Sequence, residues 1–151
     1  MRVLLICTVM ILAGCVRGPT LPEAAGRLEF DSQSVLDEGA RRLGTPGARP
    51  KILFNGRRPC AGGKTRQVWR GTVPLRRGPD PRFDLDNATD VSIGLARARG
   101  YRLEGPPAFA RQFRTFTMAH DGSDVRIAFQ LHGGRHSSLR VDASTPCLSR
   151  T

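Results

Sequence analysis

The clearest pattern in the chain is an alternation of apolar and polar residues in its last third. Apolar side chains occupy every second position over one stretch: Val125, Ile127, Phe129 and Leu131. A period of two predicts a β-strand with one buried face. Patterns of this kind predict three strands: residues 112–119, 123–132 and 135–143. Asp121-Gly122 and Gly133-Gly134 stand between these segments and predict tight turns, the second of two residues.

Two earlier segments repeat apolar residues at helical spacing. In the first segment, four apolar residues share one face of the predicted helix: Val35, Leu36, Ala40 and Leu43. Ser32 or Ser34 is a suitable N-cap for it, and Gly44 is placed to end it. In the second segment, four apolar residues also share one face: Ala88, Val91, Leu95 and Ala98. This helix is predicted to begin near Asn87, with Asp90 completing a capping box, and to end before Gly100.

Two extended segments, residues 51–54 and 66–75, lie between the helices. The predicted order is therefore α-β-β-α-β-β-β. Helices that are separated from runs of strands in this way favour an α+β fold. We expect two layers, an antiparallel sheet of about five strands with two helices packed on one face.

The first fifteen residues have the composition of an export signal. Met1-Arg2 is followed by ten residues without charge and then by small residues. Such a stretch is typical of a secretory leader and is shorter than the about 20 apolar residues that span a bilayer.

The end of this leader, Leu12-Ala13-Gly14-Cys15, resembles the lipobox of bacterial lipoprotein precursors. The resemblance implies that the Cys15 thiol receives a diacylglyceryl group and becomes the first residue of the mature protein. It predicts a signal peptide over 1–14, a lipidated tether over 15–26 and a single domain over 27–151. Acyl chains held in this way anchor a protein stably, so we expect it on the extracytoplasmic face of the cell membrane.

A second, looser resemblance covers the mature chain. Ser144-Thr145-Pro146-Cys147 after a strand, and two halves that each run from helix to strand, look like small secreted lipoproteins of high-GC Gram-positive bacteria. This resemblance implies no activity. It supports only the fold and the compartment.

Two cysteines remain once Cys7 and Cys15 are set aside. Cys60 and Cys147 form an even pair in a chain that is expected to be exported, which indicates a disulfide. A Cys/His metal site is the alternative, but neither residue has the second cysteine of a CxxC motif.

The formal charge of +11 comes mainly from arginine, since Lys51 and Lys64 are the only lysines. Such a charge favours an anionic partner: anionic lipid, a cell-wall polymer or another envelope protein. Export argues against nucleic acid. The basic residues look spread along the chain, which a solvated surface also explains.

One group of arginines is a candidate anion-binding face. Arg114, Arg126 and Arg140 are expected on the wet face of the last three strands. Neighbouring strands would bring them together, and like charges side by side favour a bound counter-anion. Splaying of the side chains into water is the alternative.

Other polar clusters are better explained by local structure. His132 and His136 have H-x-x-x-H spacing, but a two-residue turn between them would send their side chains to opposite faces, so we expect no metal. Helix capping explains an acidic group: Asp84, Asp86, Asn87 and Asp90. Turn formation explains a group with the residue types of a hydrolase triad: His120, Asp121, Ser123 and Asp124.

No catalytic, cofactor-binding or nucleotide-binding motif is present in the sequence. The sequence therefore favours a non-catalytic binding or accessory module of the cell envelope, without a cofactor. Two alternatives stay open. One is an envelope enzyme with an unrecognised site, built on the 76–90 loop. The other is an interaction lipoprotein that blocks entry or assembly at the envelope, such as a phage-exclusion protein.

Overall fold

The computed structural model describes residues 18–149, which form an α+β fold. The helices are α1 (Leu21–Leu43) and α2 (Pro81–Arg97), and a short 3-10 turn spans Ala61–Gly63. The strands are β1 (Lys51–Pro59), β2 (Thr65–Pro74), β3 (Tyr101–Leu103), β4 (Ala108–Ala110), β5 (Phe113–His120), β6 (Arg126–His132) and β7 (Ser138–Ser144). The predicted signal peptide 1–14, and Cys15 with it, lies outside the described residues.

The strands form one antiparallel sheet of seven strands, in the order β1-β2-β7-β6-β5-β3, with β4 also paired to β5. The predicted fold class is confirmed. The additional strands β3 and β4 have three residues each, which is too short to establish an alternating pattern.

Helix α1 begins at Leu21, well before the predicted caps Ser32 and Ser34. The Glu23 side chain accepts hydrogen bonds from the backbone N–H and the hydroxyl of Thr20, both at 2.8 Å. This contact lowers the pKa of Glu23. Because Leu21 and Ala24 are buried against the core, the folded domain starts inside the segment predicted as a tether.

Helix α2 also begins earlier than predicted, at Pro81 and not near Asn87. Asp80 is its N-cap and accepts hydrogen bonds from the backbone N–H groups of Arg82 and Phe83, at 2.9 and 3.3 Å. Proline directly after the cap fits the first helical turn, where its missing N–H costs nothing. Residues 81–90 of the 76–90 segment predicted as a loop are therefore helical.

Both helices pack on one face of the sheet and form a single core with it. Trp69, Phe129 and Leu139 are fully buried in this layer. Gly39 lies where α1 crosses β7, and a Cβ atom there would stand 3.1 Å from Leu139 Cδ2. The glycine inside α1 is thus explained by close packing of the helix on the sheet.

The alternation over β6 and β7 is confirmed, with Ile127, Phe129 and Leu131 all buried. The predicted two-residue turn at Gly133-Gly134 is wrong. His132 pairs with Ser138, so the connection has five residues, 133–137.

Cys60 and Cys147 form a disulfide with a Cα–Cα distance of 6.1 Å, as predicted. The bond joins the end of the β1–β2 hairpin to the segment after β7 and encloses a sequence separation of 87 residues. In the chain-entropy account, a loop of this length stabilises the fold by about 4–5 kcal/mol, as an upper figure.

Candidate functional site: an arginine-lined cleft

A cleft of about 430 Å³ lies at one end of the sheet. It is bordered by the end of α1, the β2–α2 connection, the start of α2 and the 133–137 loop. Its lining residues include Arg42, Arg76, Arg77, Asp84, Asn87, His132 and Arg135. We call this feature the arginine cleft. Its volume lies in the range of small-molecule sites.

Backbone hydrogen bonds fix the β2–α2 connection across the mouth of the cleft. The N–H of Leu75 donates to the carbonyl of Ser137 at 3.0 Å, and the N–H of Arg76 donates to the carbonyl of Leu43 at 2.7 Å. Arg76 is therefore held between the end of α1 and the 133–137 loop. Arg77 donates through Nη1 to the carbonyl of Arg135 at 3.5 Å, which links the two sides.

Two glycines shape the opposite wall. A Cβ atom on Gly133 would stand 3.0 Å from Leu85 Cδ1, so the loop packs closely on α2 only because this residue has no side chain. Gly134 has a φ of 86°, a left-handed conformation that glycine adopts without strain. These positions bring Arg135 towards the β2–α2 connection.

The start of α2 faces the cleft, but its backbone donors already have partners. Asp80 accepts from the first free N–H groups of the helix. The Asp84 carboxylate accepts from the N–H of Gly78 at 2.6 Å. The start of α2 therefore leaves the guanidinium groups of the cleft as the charged donors for a ligand.

The charge of the arginine cleft is strongly positive. The side chains of Arg76, Arg77 and Arg135 are exposed. No carboxylate of residues 18–149 lies within ion-pair distance of any of the three. Arg42 differs, because its Nε lies 2.5 Å from Glu38 Oε1. Hydrogen bonds from Arg41 and Arg42 lower the pKa of Glu38 to about 2.

The predicted anion-binding face does not form. Arg114 lies on the helix-packed face of the sheet, opposite Leu131, and is only 4% exposed. Its Nε and Nη2 donate to Asp86 at 3.0 and 2.8 Å. The period of two explains this, because burial of Phe116 and Met118 forces Arg114 to the same face.

The other two arginines of the predicted face both lie on the outer face of the sheet, but each pairs with a different carboxylate. Arg126 donates to Glu104 at 2.9 Å, and Arg140 donates to Asp142 at 2.8 Å. Arg140 lies opposite Gln130, which places the two arginines about 13 Å apart along the strands. Each guanidinium already has a carboxylate, so the grouping as one site is wrong.

The two histidines of the H-x-x-x-H spacing lie in different settings. His132 ends β6, with its ring 4.7 Å from that of Phe113, whereas His136 is exposed in the 133–137 loop. Within residues 18–149, no three His, Cys, Asp or Glu side chains gather as metal ligands.

The triad-like group contains one contact that the sequence analysis missed. Ser123 Oγ lies 2.9 Å from His120 Nδ1, and Arg27 Nη1 lies 2.8 Å from His120 Nε2. Because a guanidinium only donates, Nε2 must accept and Nδ1 must carry the proton that it donates to Ser123. The imidazole has no lone pair towards the hydroxyl, as a general base would need.

A buried pair next to His120 has a structural explanation. Tyr101 donates its hydroxyl proton to Asp31 Oδ2 at 2.9 Å, and its ring meets His120 edge-on. Burial and then the charge of Asp31 raise the pKa of Tyr101 well above its usual range. The phenol therefore stays protonated and holds α1 against β3.

Asp84 and Asp86, predicted as capping residues, have specific partners. Asp84 is in the first turn of α2 and accepts from Gly78, which agrees with a role at the helix start. Asp86 instead pairs with Arg114. The residue that caps α2 is Asp80.

Comparison of the chain with protein-family models, with curated proteins and with solved structures finds no match. Neither helix within residues 18–149 has the length and the apolar character that crossing a bilayer requires. The arginine cleft is therefore interpreted from its own residues.

Proposed function

We propose that this protein is a lipid-anchored, extracytoplasmic accessory module of a bacterial cell envelope that binds an anionic envelope component in the arginine cleft. One observation carries the binding proposal. Arg76, Arg77 and Arg135 converge on one concave surface, and no carboxylate of residues 18–149 pairs with them.

The chemistry of these side chains defines the ligand class. A guanidinium presents several N–H donors in a plane and matches the paired oxygens of phosphate and carboxylate groups. Like charges held close together repel, and an anion between them removes this cost. A phosphate- or carboxylate-bearing polymer or glycan segment fits both the charge and the volume of the cleft.

The anchor is supported by the sequence. Leu12-Ala13-Gly14-Cys15 follows an apolar leader, as in lipoprotein precursors. The Cys60–Cys147 disulfide agrees with an oxidising compartment, where such bonds persist.

The binding proposal is tested by calorimetric titration with two defined anionic probes, short-chain polyphosphate and polygalacturonate. The variant Arg76→Gln/Arg135→Gln removes two cleft charges. We expect it to weaken binding of at least one probe by about tenfold or more.

The matched control is Arg126→Gln/Arg140→Gln, which removes the same charge from arginines that already have carboxylate partners. It should change affinity by less than about threefold. An equal loss in both variants would mean that the probe responds to overall charge, and the cleft proposal would be abandoned.

The anchor is tested by intact mass spectrometry of the protein extracted from its native membrane. We expect a chain that begins at Cys15, carries acyl chains and gains two hydrogens on reduction of the disulfide. The Cys15→Ala variant should carry no acyl mass. An unmodified wild-type chain that retains Met1 would overturn the lipoprotein proposal.

A further inference from the structure

The basic residues are spread along the chain, but the net positive charge of the protein lies in one segment. Residues 39–79 contain eleven arginines and lysines and no acidic residue. The rest of the chain contains thirteen basic and thirteen acidic residues. The excess charge therefore belongs to the end of α1, the β1–β2 hairpin and the connection to α2.

Apart from the arginine cleft, the densest part of this segment is the end of the β1–β2 hairpin. Arg57, Arg58, Lys64 and Arg66 are all exposed there, and we call them the basic tip. Arg58 lies directly opposite Arg66 across the two strands. Like charges in opposite positions destabilise a hairpin, so this arrangement favours a counter-charge from outside the protein.

No carboxylate of residues 18–149 supplies that counter-charge. Within residues 18–149, none of the four cations of the basic tip has a carboxylate in ion-pair distance. Arg58 lies over the ring of Phe54, with its Cζ 4.5 Å from the centroid, which fixes its direction. The disulfide at Cys60 holds the tip against the rest of the fold.

The basic tip lies at the same end of the molecule as the start of α1. Asn55 on β1 donates to Glu29 on α1 at 2.9 Å, which sets the two elements side by side. At the other end of the helix, Gly44, which follows α1, pairs with Leu75, which follows β2. Helix α1 therefore runs in the direction of β2, and Leu21 lies at the tip end, opposite the arginine cleft.

From this geometry we propose that the basic tip docks on the anionic lipid headgroups beside the anchor. The inference rests on the lipid anchor of the proposed function. Six residue steps from Cys15 to Leu21 span at most about 20 Å, which keeps the tip close to the bilayer. A juxtamembrane basic cluster is attracted to an anionic leaflet, each cation adding to the attraction. Docking would direct the arginine cleft away from the membrane.

The two lysines of the chain permit a direct test. Lys64 belongs to the basic tip, whereas Lys51 starts β1, about 26 Å away along the strand. Both side chains are exposed. The lipidated full-length protein is reconstituted into vesicles, acetylated with a water-soluble reagent, and the labelling rate of each lysine is measured by mass spectrometry.

We expect Lys64 to be labelled about fivefold more slowly on vesicles that contain phosphatidylglycerol than on pure phosphatidylcholine, because headgroup contact shields it. The rate for Lys51 should be the same on both. Protection should disappear at about 0.5 M salt, where the Debye length falls to about 4 Å.

Matched variants distinguish local docking from overall charge. Arg57→Gln/Arg58→Gln should abolish the protection of Lys64, whereas Arg76→Gln/Arg77→Gln in the cleft should preserve it. Equal labelling of Lys64 on both kinds of vesicle would overturn the docking inference while leaving the anchor intact. Failure of the anchor is a separate result, because a chain without acyl mass would not enter phosphatidylcholine vesicles at all.

Discussion

The arginines of the outer sheet face and those of the arginine cleft invite comparison, because both groups lie outside the core. Arg126 and Arg140 lie on the outer face of the sheet, and each donates to a carboxylate. Arg76 and Arg135 line a concave surface with no carboxylate partner among residues 18–149. Exposure and charge alone therefore do not distinguish a binding surface from a solvated one, whereas the cleft combines a concave shape with arginines that have no carboxylate partner.

Arg114 represents the extreme case of a paired arginine. Its guanidinium donates to Asp86 and to the carbonyls of Ala110 and Phe113, and it lies 5.0 Å from the ring centre of Phe109. All of these bonds hold β4, β5 and α2 together. In the paired arginines the charge contributes to structure, whereas in Arg76 and Arg135 it is free for a ligand.

The largest effect is expected for Arg114→Ala. The substitution removes the donor to the carbonyls of Ala110 and Phe113 and to the half-exposed Asp86, and it leaves the space of a buried side chain unfilled. We expect the free energy of unfolding to fall by about 2 kcal/mol. Urea denaturation measures this change. Arg76→Ala, which breaks no ion pair, should stay within about 0.5 kcal/mol of wild type. Similar losses in both variants would contradict the distinction between the two groups.

Asp142→Asn is expected to convert part of the paired surface into an unpaired one. Asp142 accepts from Arg70 and Arg140, both at 2.8 Å, so its neutralisation should lower stability by about 1 kcal/mol. It should also create weak polyphosphate binding on the outer sheet face, seen as a second site by calorimetry. Unchanged stability would show that these exposed pairs contribute nothing measurable.

Asn87→Asp tests the comparison in the opposite direction, by adding a carboxylate to the cleft. Asn87 lines the cleft and is exposed on α2, and aspartate has nearly the same shape. We expect polyphosphate affinity to fall by about threefold while the denaturation midpoint stays the same. The control Asp90→Asn alters a charge on α2 that does not line the cleft, and affinity should not fall there.

The smallest effect is expected for Glu38→Gln, which frees Arg42 at the rim of the cleft. Affinity for polyphosphate should rise by less than about twofold. The pKa of Glu38 is lowered to about 2 from 4.5, so its contribution to stability is complete above about pH 4.5 and is lost as the pH falls towards 2. Stability curves of wild type and variant should converge at the acidic end. A constant difference down to pH 2 would contradict this assignment.

The sequence predicted the layers of this fold because burial imposes a period on the chain. Ile127, Phe129 and Leu131 alternate regularly, and their strand is where the pattern placed it. The disulfide was also predictable, since Cys60 and Cys147 were the only pair left after the leader. Cys15 and the leader lie outside the described residues and stay predictions.

Helix starts were less predictable because caps depend on geometry. Thr20 and Asp80 are effective caps, but serines and an asparagine nearer the apolar faces fitted the same rule. Gly26 in the first turns of α1 weakened the helical pattern there, although burial of Leu21 extends the helix past it.

The arginine cleft could not be derived from spacing. Arg42, Arg76 and Arg135 are far apart in the chain. They line one cleft because the β2–α2 connection bonds to the end of α1 on one side and to the 133–137 loop on the other. One signal was present in the sequence, namely the absence of acidic residues over 39–79. Arg76 and Arg77 therefore have no acidic neighbour in the sequence, whereas Arg135 lies outside this segment and gave no such signal.

The disulfide also has a mechanical consequence. Cys60 follows β1, so only α1 and β1 of the described elements precede the covalent loop that Cys147 closes. A steady pull at the amino-terminal end can draw out these two elements, about 140 Å of extended chain, and then meets a covalent bond. Arg76, Arg77 and Arg135 all lie inside the loop, whereas Arg42 at the end of α1 lies outside it and would be drawn away from the cleft.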